Sequence, residues 1–220
     1  MTASKPCSEP AAAPARRGRL IVLEGMPGAG KTTTATALAA RGHSVVGEYT
    51  SDTEATLTIE DHPDVSDDDA HQANWLRKAA QCTARLASRP VVYADRDWLS
   101  SLSYACTGSD SELLARRARW AARHLYAGTL LLPDVYAVFD LDATASLSRR
   151  AGRLRAGHPW NQLVTLGRLR DFYRDPARTI RPACPELAAA LGIPERIDIS
   201  GHDDPRLMLD RLAGLAAAPA

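Results

Sequence analysis

Residues 20–42, LIVLEGMPGAGKTTTATALAARG, restrict what this chain can fold into more than any other stretch. The apolar, branched run RLIVLEG gives way at once to glycines and then to an Ala/Thr/Leu pattern of helical spacing: strand, loop, helix. Gly25, Gly30, Lys31 and Thr32 fit G-x-x-x-x-G-K-[ST] without a mismatch, in the context that motif requires. The residue types follow from the task. Glycines let backbone N–H groups converge on a phosphate, and the helix N-terminus adds positive potential. Gly25, Gly28, Ala29, Gly30, Lys31, Thr32 and Thr33 are therefore expected to cradle ATP, with Lys31 bridging the β- and γ-phosphates and Thr32 offering its hydroxyl to Mg²⁺.

The rest of the chain repeats the alternation. HSVVGE, PVVYADRD, PDVYAVFDLD and RIDIS read as further strands. QANWLRKAAQCTARLAS, WLSSLSYA, SELLARRARWAARHLYAG, LVTLGRLRDFYR and PRLMLDRLAGL read as helices, the third with its arginines on the outer face. A broken, Pro-containing segment precedes the last strand, and Asp142 is placed to cap the helix after the fourth. Five strands alternating with helices predict an α/β fold, a five-stranded parallel sheet with helices on both faces and ligands at the strands' carboxyl ends. At 220 residues the prior is one domain, over 19–216, between a disordered tail at 1–18 (rich in Pro, Ala and Ser) and a frayed end at 217–220.

Composition removes several classes. A net charge of +1 with 24% charged residues gives no footprint for a nucleic-acid polymer. Cys7, Cys82, Cys106 and Cys184 are scattered without a CxxC pair, as in a reduced cytoplasmic protein that holds no structural metal. AAAPA is too short for a signal-peptide core, and no run could span a membrane. A regulatory GTPase needs a guanine-reading NKxD, which is absent. A transport ATPase needs a signature motif and more chain. A small phosphotransferase remains, or a nucleotide-binding module without transfer.

VVYADRDWLSSLSYA supplies the next constraint. Its strand delivers Asp95 and Arg96 to the carboxyl end beside the phosphate loop. The carboxylate can hold Mg²⁺ or take a proton, and the guanidinium can neutralise a moving phosphoryl group. An Asp–Arg pair that merely caps the next helix is the alternative. Downstream, Arg149, Arg150, Arg153 and Arg155 fall within seven positions. Helical spacing places Arg149 and Arg153 on one face, with Arg150 and Arg155 solvated.

Together these segments resemble the thymidylate kinase and deoxynucleoside kinase superfamily, from Arg19 to about Leu215. LIVLEGMPGAGKTT is similar to its first strand and loop, and DR before a Ser-containing helix to its third-strand motif. PDVYAVFDLDATASLSRR matches its fourth strand and the approach to an Arg-rich lid (about 149–161), and IDISG its last strand. The resemblance implies a lid whose arginines, Arg149 and Arg153 foremost, close over the phosphates and exclude water. It also implies that a homodimer paired through helices is an available assembly.

The acceptor side departs from one branch of that superfamily. Many thymidylate kinases carry Arg-Glu-Pro after the second strand, and the arginine helps hold the acceptor's phosphate. Here the positions read Gly47, Glu48, Tyr49. Deoxynucleoside kinases use a glutamate there to deprotonate a sugar hydroxyl, which makes Glu48 a candidate base, with Asp95 the other. From Gly42 through Leu76 there is no Lys or Arg, while Glu48, Asp52, Glu54, Glu60, Asp61, Asp64, Asp67, Asp68 and Asp69 are acidic. Such a field disfavours an anionic acceptor. Arg77 and Arg96 are the acceptor-side cations, and Trp75 with Gln72 or Gln81 could stack on and bond a heterocycle. The expectation is a kinase for a nucleoside or nucleoside-like hydroxyl. A nucleoside monophosphate or an antibiotic acceptor stays open.

Overall fold

The structure, a computed structural model, describes residues 18–57, 67–108, 110–151 and 159–215. Among them lie five strands: β1 (Arg19–Gly25), β2 (Ser44–Val46), β3 (Val91–Asp95), β4 (Val135–Asp140) and β5 (Glu195–Ser200). All pair in parallel, in the order β2-β3-β1-β4-β5. β1 is central, so its apolar run is buried on both sides, as parallel sheets require. The helices are α1 (Lys31–Ala40), α2 (Asp68–Leu86), α3 (Leu99–Thr107), α4 (Ser111–Tyr126), α5 (Ala143–Arg149), α6 (Leu163–Arg174), α7 (Pro176–Ile180), α8 (Pro185–Ala190) and α9 (Pro205–Leu215). A 3₁₀ turn occupies Pro159–Asn161.

Two neighbouring residues of β3 show that helices cover both faces. The Tyr93 hydroxyl donates to Leu212 O of α9, whereas Ala94 lines a cavity with Trp75, Lys78 and Cys82 of α2. Successive strand residues point to opposite faces, so α9 and α2 lie on opposite sides. Among the described residues no helix is long and apolar enough to cross a membrane.

Capping fixes several helix starts. Asp142 accepts from Ala145 N at 2.8 Å, the cap expected from sequence. Asp67 accepts from Ala70 N, which starts α2 at Asp68 rather than at Gln72. The Pro-containing segment forms α7 and α8, each with proline in its first turn, where the missing N–H costs nothing. One expectation is corrected on α4. Arg116, Arg119 and Arg123 are exposed, but Arg117 shares the inner face with Ala118 and Ala121. Buried there, it is compensated by Asp68 and by Ser101 O, to which it donates at 2.9 Å.

Candidate active site

The phosphate loop forms where β1 turns into α1. Gly25 has φ 122, and a Cβ there would lie 2.3 Å from Phe139 O, so the strand can leave the sheet only at a glycine. Gly28 and Gly30 also have positive φ, and Ala29 is buried. Thr32 and Thr33 stand exposed on the first turn of α1. The Lys31 ammonium donates to Gly25 O (3.0 Å) and Met26 O (2.6 Å). Burial, then the neighbouring Arg96, push its pKa down to about 7.

Thr32 meets the end of β3: its hydroxyl donates to Asp95 Oδ2 at 2.8 Å. Asp95 Oδ1 is buried without a hydrogen-bond partner among the described residues. The next residue, Arg96, turns the chain with φ 65, a left-handed conformation costing about 1–3 kcal/mol in a non-glycine residue. Its N–H donates to Leu23 O. Its guanidinium contacts Glu24 (3.3 Å), Ser100 Oγ (3.1 Å) and Tyr173 OH (3.3 Å), and its Nε lies 3.1 Å from Glu48 Oε1. Burial opposes that charge, but Glu48, Tyr173 and Glu24 outweigh it and hold Arg96 protonated.

Glu24 was not among the residues singled out from sequence. Fully buried in β1, it accepts from Ser100 Oγ (2.8 Å), Tyr173 OH (2.8 Å) and Asp97 N (3.1 Å) as well as from Arg96. A carboxylate inside an otherwise apolar strand is the sequence signal for it. Asp97 is also buried, accepting from Leu99 N and the Tyr136 hydroxyl, and burial raises its pKa to about 8.

Glu48 and Arg96 open into a pocket enclosing about 390 Å³ of empty space, open solvent included. Trp75, Tyr104, Trp160 and Tyr173 form aromatic walls, and Ser100, Ser101 and Ser103 offer hydroxyls along α3. Trp75 is 2% exposed and packs at 5.7 Å from the Tyr49 ring, so it is a pocket wall anchored in the core. The structure does not bring Gln72, Arg77 or Gln81 into this lining. Arg77 binds Asp52 (2.6 Å) and Thr50 O (2.9 Å), and Gln81 donates to Ser51 O (3.1 Å). Both hold the segment after β2 rather than a guest.

That segment alters the electrostatic expectation. Asp52 pairs with Arg77, Glu54 with Arg85, Asp68 with Arg117 and Glu48 with Arg96. Much of the acidic field is therefore neutralised by cations from outside the window, and Glu60, Asp61 and Asp64 lie outside the described residues. A second constraint replaces it. Thr50 and Thr56 form an antiparallel bridge that folds the segment back over Gly47. A Cβ at Gly47 would lie 2.3 Å from Thr56 Oγ1 and 2.6 Å from its methyl carbon. Thr56 fills the space that a side chain at position 47 would need.

On the lid side, Arg149 donates to Gly28 O (3.1 Å) and Gly201 O (2.9 Å), tying the end of α5 to the phosphate loop and to the loop after β5. Arg150, expected to be solvated, instead stacks 4.9 Å over the Trp160 ring, because that indole offers a π-face on the facing turn. Arg153 and Arg155 lie outside the described residues.

An AAA domain family matches residues 20–156. No curated protein sequence matches the chain. Among solved structures, deoxyadenosine kinase from M. mycoides with bound dATP superposes with TM-score 0.58 at 12% identity, covering 90% of this chain and 100% of that one. The same kinase with products dCMP and a flexible dCDP gives TM-score 0.54 at 13% identity, covering 90% and 98%. At such identities the likeness shows a shared P-loop nucleoside kinase fold.

Proposed function

The chain belongs to the AAA domain family, and from that premise we propose that it is a P-loop phosphotransferase, moving the γ-phosphoryl group of MgATP to the hydroxyl of a nucleoside or nucleoside-like small molecule. The observation that carries this reading is the 2.8 Å bond between Thr32 and Asp95. It makes the phosphate loop and the acceptor pocket neighbours, since the next residue, Arg96, lines that pocket. A binding module without transfer needs no such junction.

Lys31, released from the carbonyls of Gly25 and Met26, binds the β- and γ-phosphates. Asp95 Oδ1, buried without a partner, and the Thr32 hydroxyl fit a divalent cation, which they would hold together with phosphate oxygens. When bound, that ion supplies neutralisation of charge on the phosphates. The acceptor's hydroxyl oxygen attacks the γ-phosphorus, the bond from that phosphorus to the β–γ bridging oxygen breaks, and ADP leaves. Glu48 takes the hydroxyl proton and Arg96 stabilises the transferring charge. With Asp95 assigned to Thr32 and the cation, Glu48, which lines the pocket where Asp95 does not, is the better placed base.

Two features favour a hydroxyl over a phosphate as acceptor. Among the described residues lining the pocket, Arg96 is the one Lys or Arg, and two carboxylates already neutralise it. Position 47 has no room for the arginine that holds an acceptor phosphate in the thymidylate kinases. The test is ATP consumption across nucleosides, nucleoside monophosphates and aminoglycosides. Turnover with nucleosides is expected. Turnover confined to monophosphates would reverse the choice of acceptor, and ATP binding without turnover on any of them would leave only a nucleotide-binding module.

A further inference from the structure

α2 carries a lysine that neither the phosphate loop nor the pocket wall accounts for. Lys78 is 3% exposed, and burial, which disfavours an ammonium, lowers its pKa. Its stem lines a cavity with Trp75, Cys82 and Trp98, where an apolar residue would pack at no such cost. What the ammonium gains is two backbone carbonyls. Nζ donates to Gly47 O and, at 2.6 Å, to Asp95 O.

Those carbonyls occupy a particular place. The β2–β3 ladder ends at Val46–Ala94, so Gly47 and Asp95 are the next pair in register. β3 turns at Arg96, whose N–H bonds to β1 rather than to β2. One cation thus spans the gap where the two strand tips part, and Glu48 and Arg96 follow directly on either side. Other α2 side chains follow the same path: Arg85 donates to Val45 O, Asn74 to Glu48 O and Arg77 to Thr50 O. Of these four, Lys78 is the one that also reaches β3.

We infer that Lys78 is a positioning residue for phosphoryl transfer, its ammonium fixing the separation of the β2 and β3 tips so that Glu48, Asp95 and Arg96 converge on one site. The inference rests on the phosphotransferase reading above. A lysine that served stability alone would lower the melting temperature when replaced and leave the turnover of folded enzyme unchanged.

The test uses Lys78→Met, which keeps the stem and removes the donor, and Lys78→Gln, one atom shorter and able to reach one carbonyl. Each is measured for kcat, for affinity toward a non-hydrolysable ATP analogue, and for melting temperature. For Lys78→Met, kcat should fall about 10²-fold, the scale on which ~1 Å misplacement of reacting groups acts, with analogue affinity held within about threefold. A folded Lys78→Met with kcat within about threefold of wild type overturns the inference. Should Lys78→Met fail to fold, Lys78→Gln decides: a loss of about fivefold or more at unchanged analogue affinity supports the role, and wild-type kcat overturns it. Wild-type protein that turns over no acceptor would sink the phosphotransferase reading separately. A crystal structure of the folded variant would then decide the clamp itself, and a Glu48–Arg96 pair still at hydrogen-bond distance would overturn it.

Discussion

From Gly25 to Thr33 the phosphate loop is one uninterrupted run, and the contacts that hold Lys31 lie within six residues of it, at Gly25 and Met26. The pocket beside it gathers Glu48, Trp75, Arg96 with Ser100, Trp160 and Tyr173 from five separate parts of the chain. The first is built by local backbone geometry and tolerates little variation. In the second, each side chain depends on partners that only the tertiary fold supplies, such as Glu24 beneath Arg96. One half of the site is therefore set by a motif, and the other by how β2, β3 and their helices are held.

Perturbing each half in turn sharpens the contrast. Lys31→Ala should cost about 10²–10³-fold in turnover with every acceptor, the scale set by removing one preorganised donor from a transition state. Activity close to wild type in that variant would place the donor elsewhere. Glu48→Gln should cost about tenfold or more in kcat, roughly 1.4 kcal/mol of barrier, and a smaller loss would remove it as the base. Nucleotide affinity tests the donor half by pH. Lys31 in the free site titrates near 7, and bound phosphates raise its pKa. Affinity should be flat below pH 7, then weaken by about tenfold per pH unit above it until the bound lysine also deprotonates. Calorimetry of an ATP analogue, flat from pH 6 to 9, would contradict this.

The smallest effect concerns the support beneath the acceptor half. Asp97, with its pKa raised to about 8, stays protonated in the folded state at pH values where the unfolded chain has released the proton. Its contribution to stability is complete below its unfolded pKa near 3.8 and is lost as pH rises toward 8. Asp97→Asn imitates the protonated carboxyl. The melting temperature of wild type should therefore decline relative to that of the variant by a few degrees between pH 5 and 8. Parallel profiles would show that Asp97 ionises freely.

The same division explains what could be read from sequence. The sheet was legible because strands buried on both faces read as apolar runs, and all five appear where those runs stand. The phosphate loop was legible because its chemistry is contiguous. Glu48, Asp95 and Arg96 were visible as strand-tip residues, but which partners they take was not. Arg77 and Gln81 looked like acceptor contacts because helical spacing cannot reveal that Asp52 and Ser51 fold back to meet them. Lys78 and Arg117 escaped notice because a cation in an amphipathic helix reads as solvated until the carbonyl or carboxylate it serves is known. The arginines after β4 were likewise visible but not their partners: Arg149 bonds the Gly28 carbonyl, and the Arg150–Trp160 stack depends on a turn that no spacing rule connects to it.

The crowding of Gly47 by Thr56 also bears on which side chains this corner of the pocket could accommodate. An arginine placed at that position alone would meet the hydroxyl and methyl of Thr56 already at its Cβ. The threonine would have to shrink first, loosening the fold-back. A larger residue at position 47 and a smaller one at position 56 would therefore have to come as a pair, the second making room for the first.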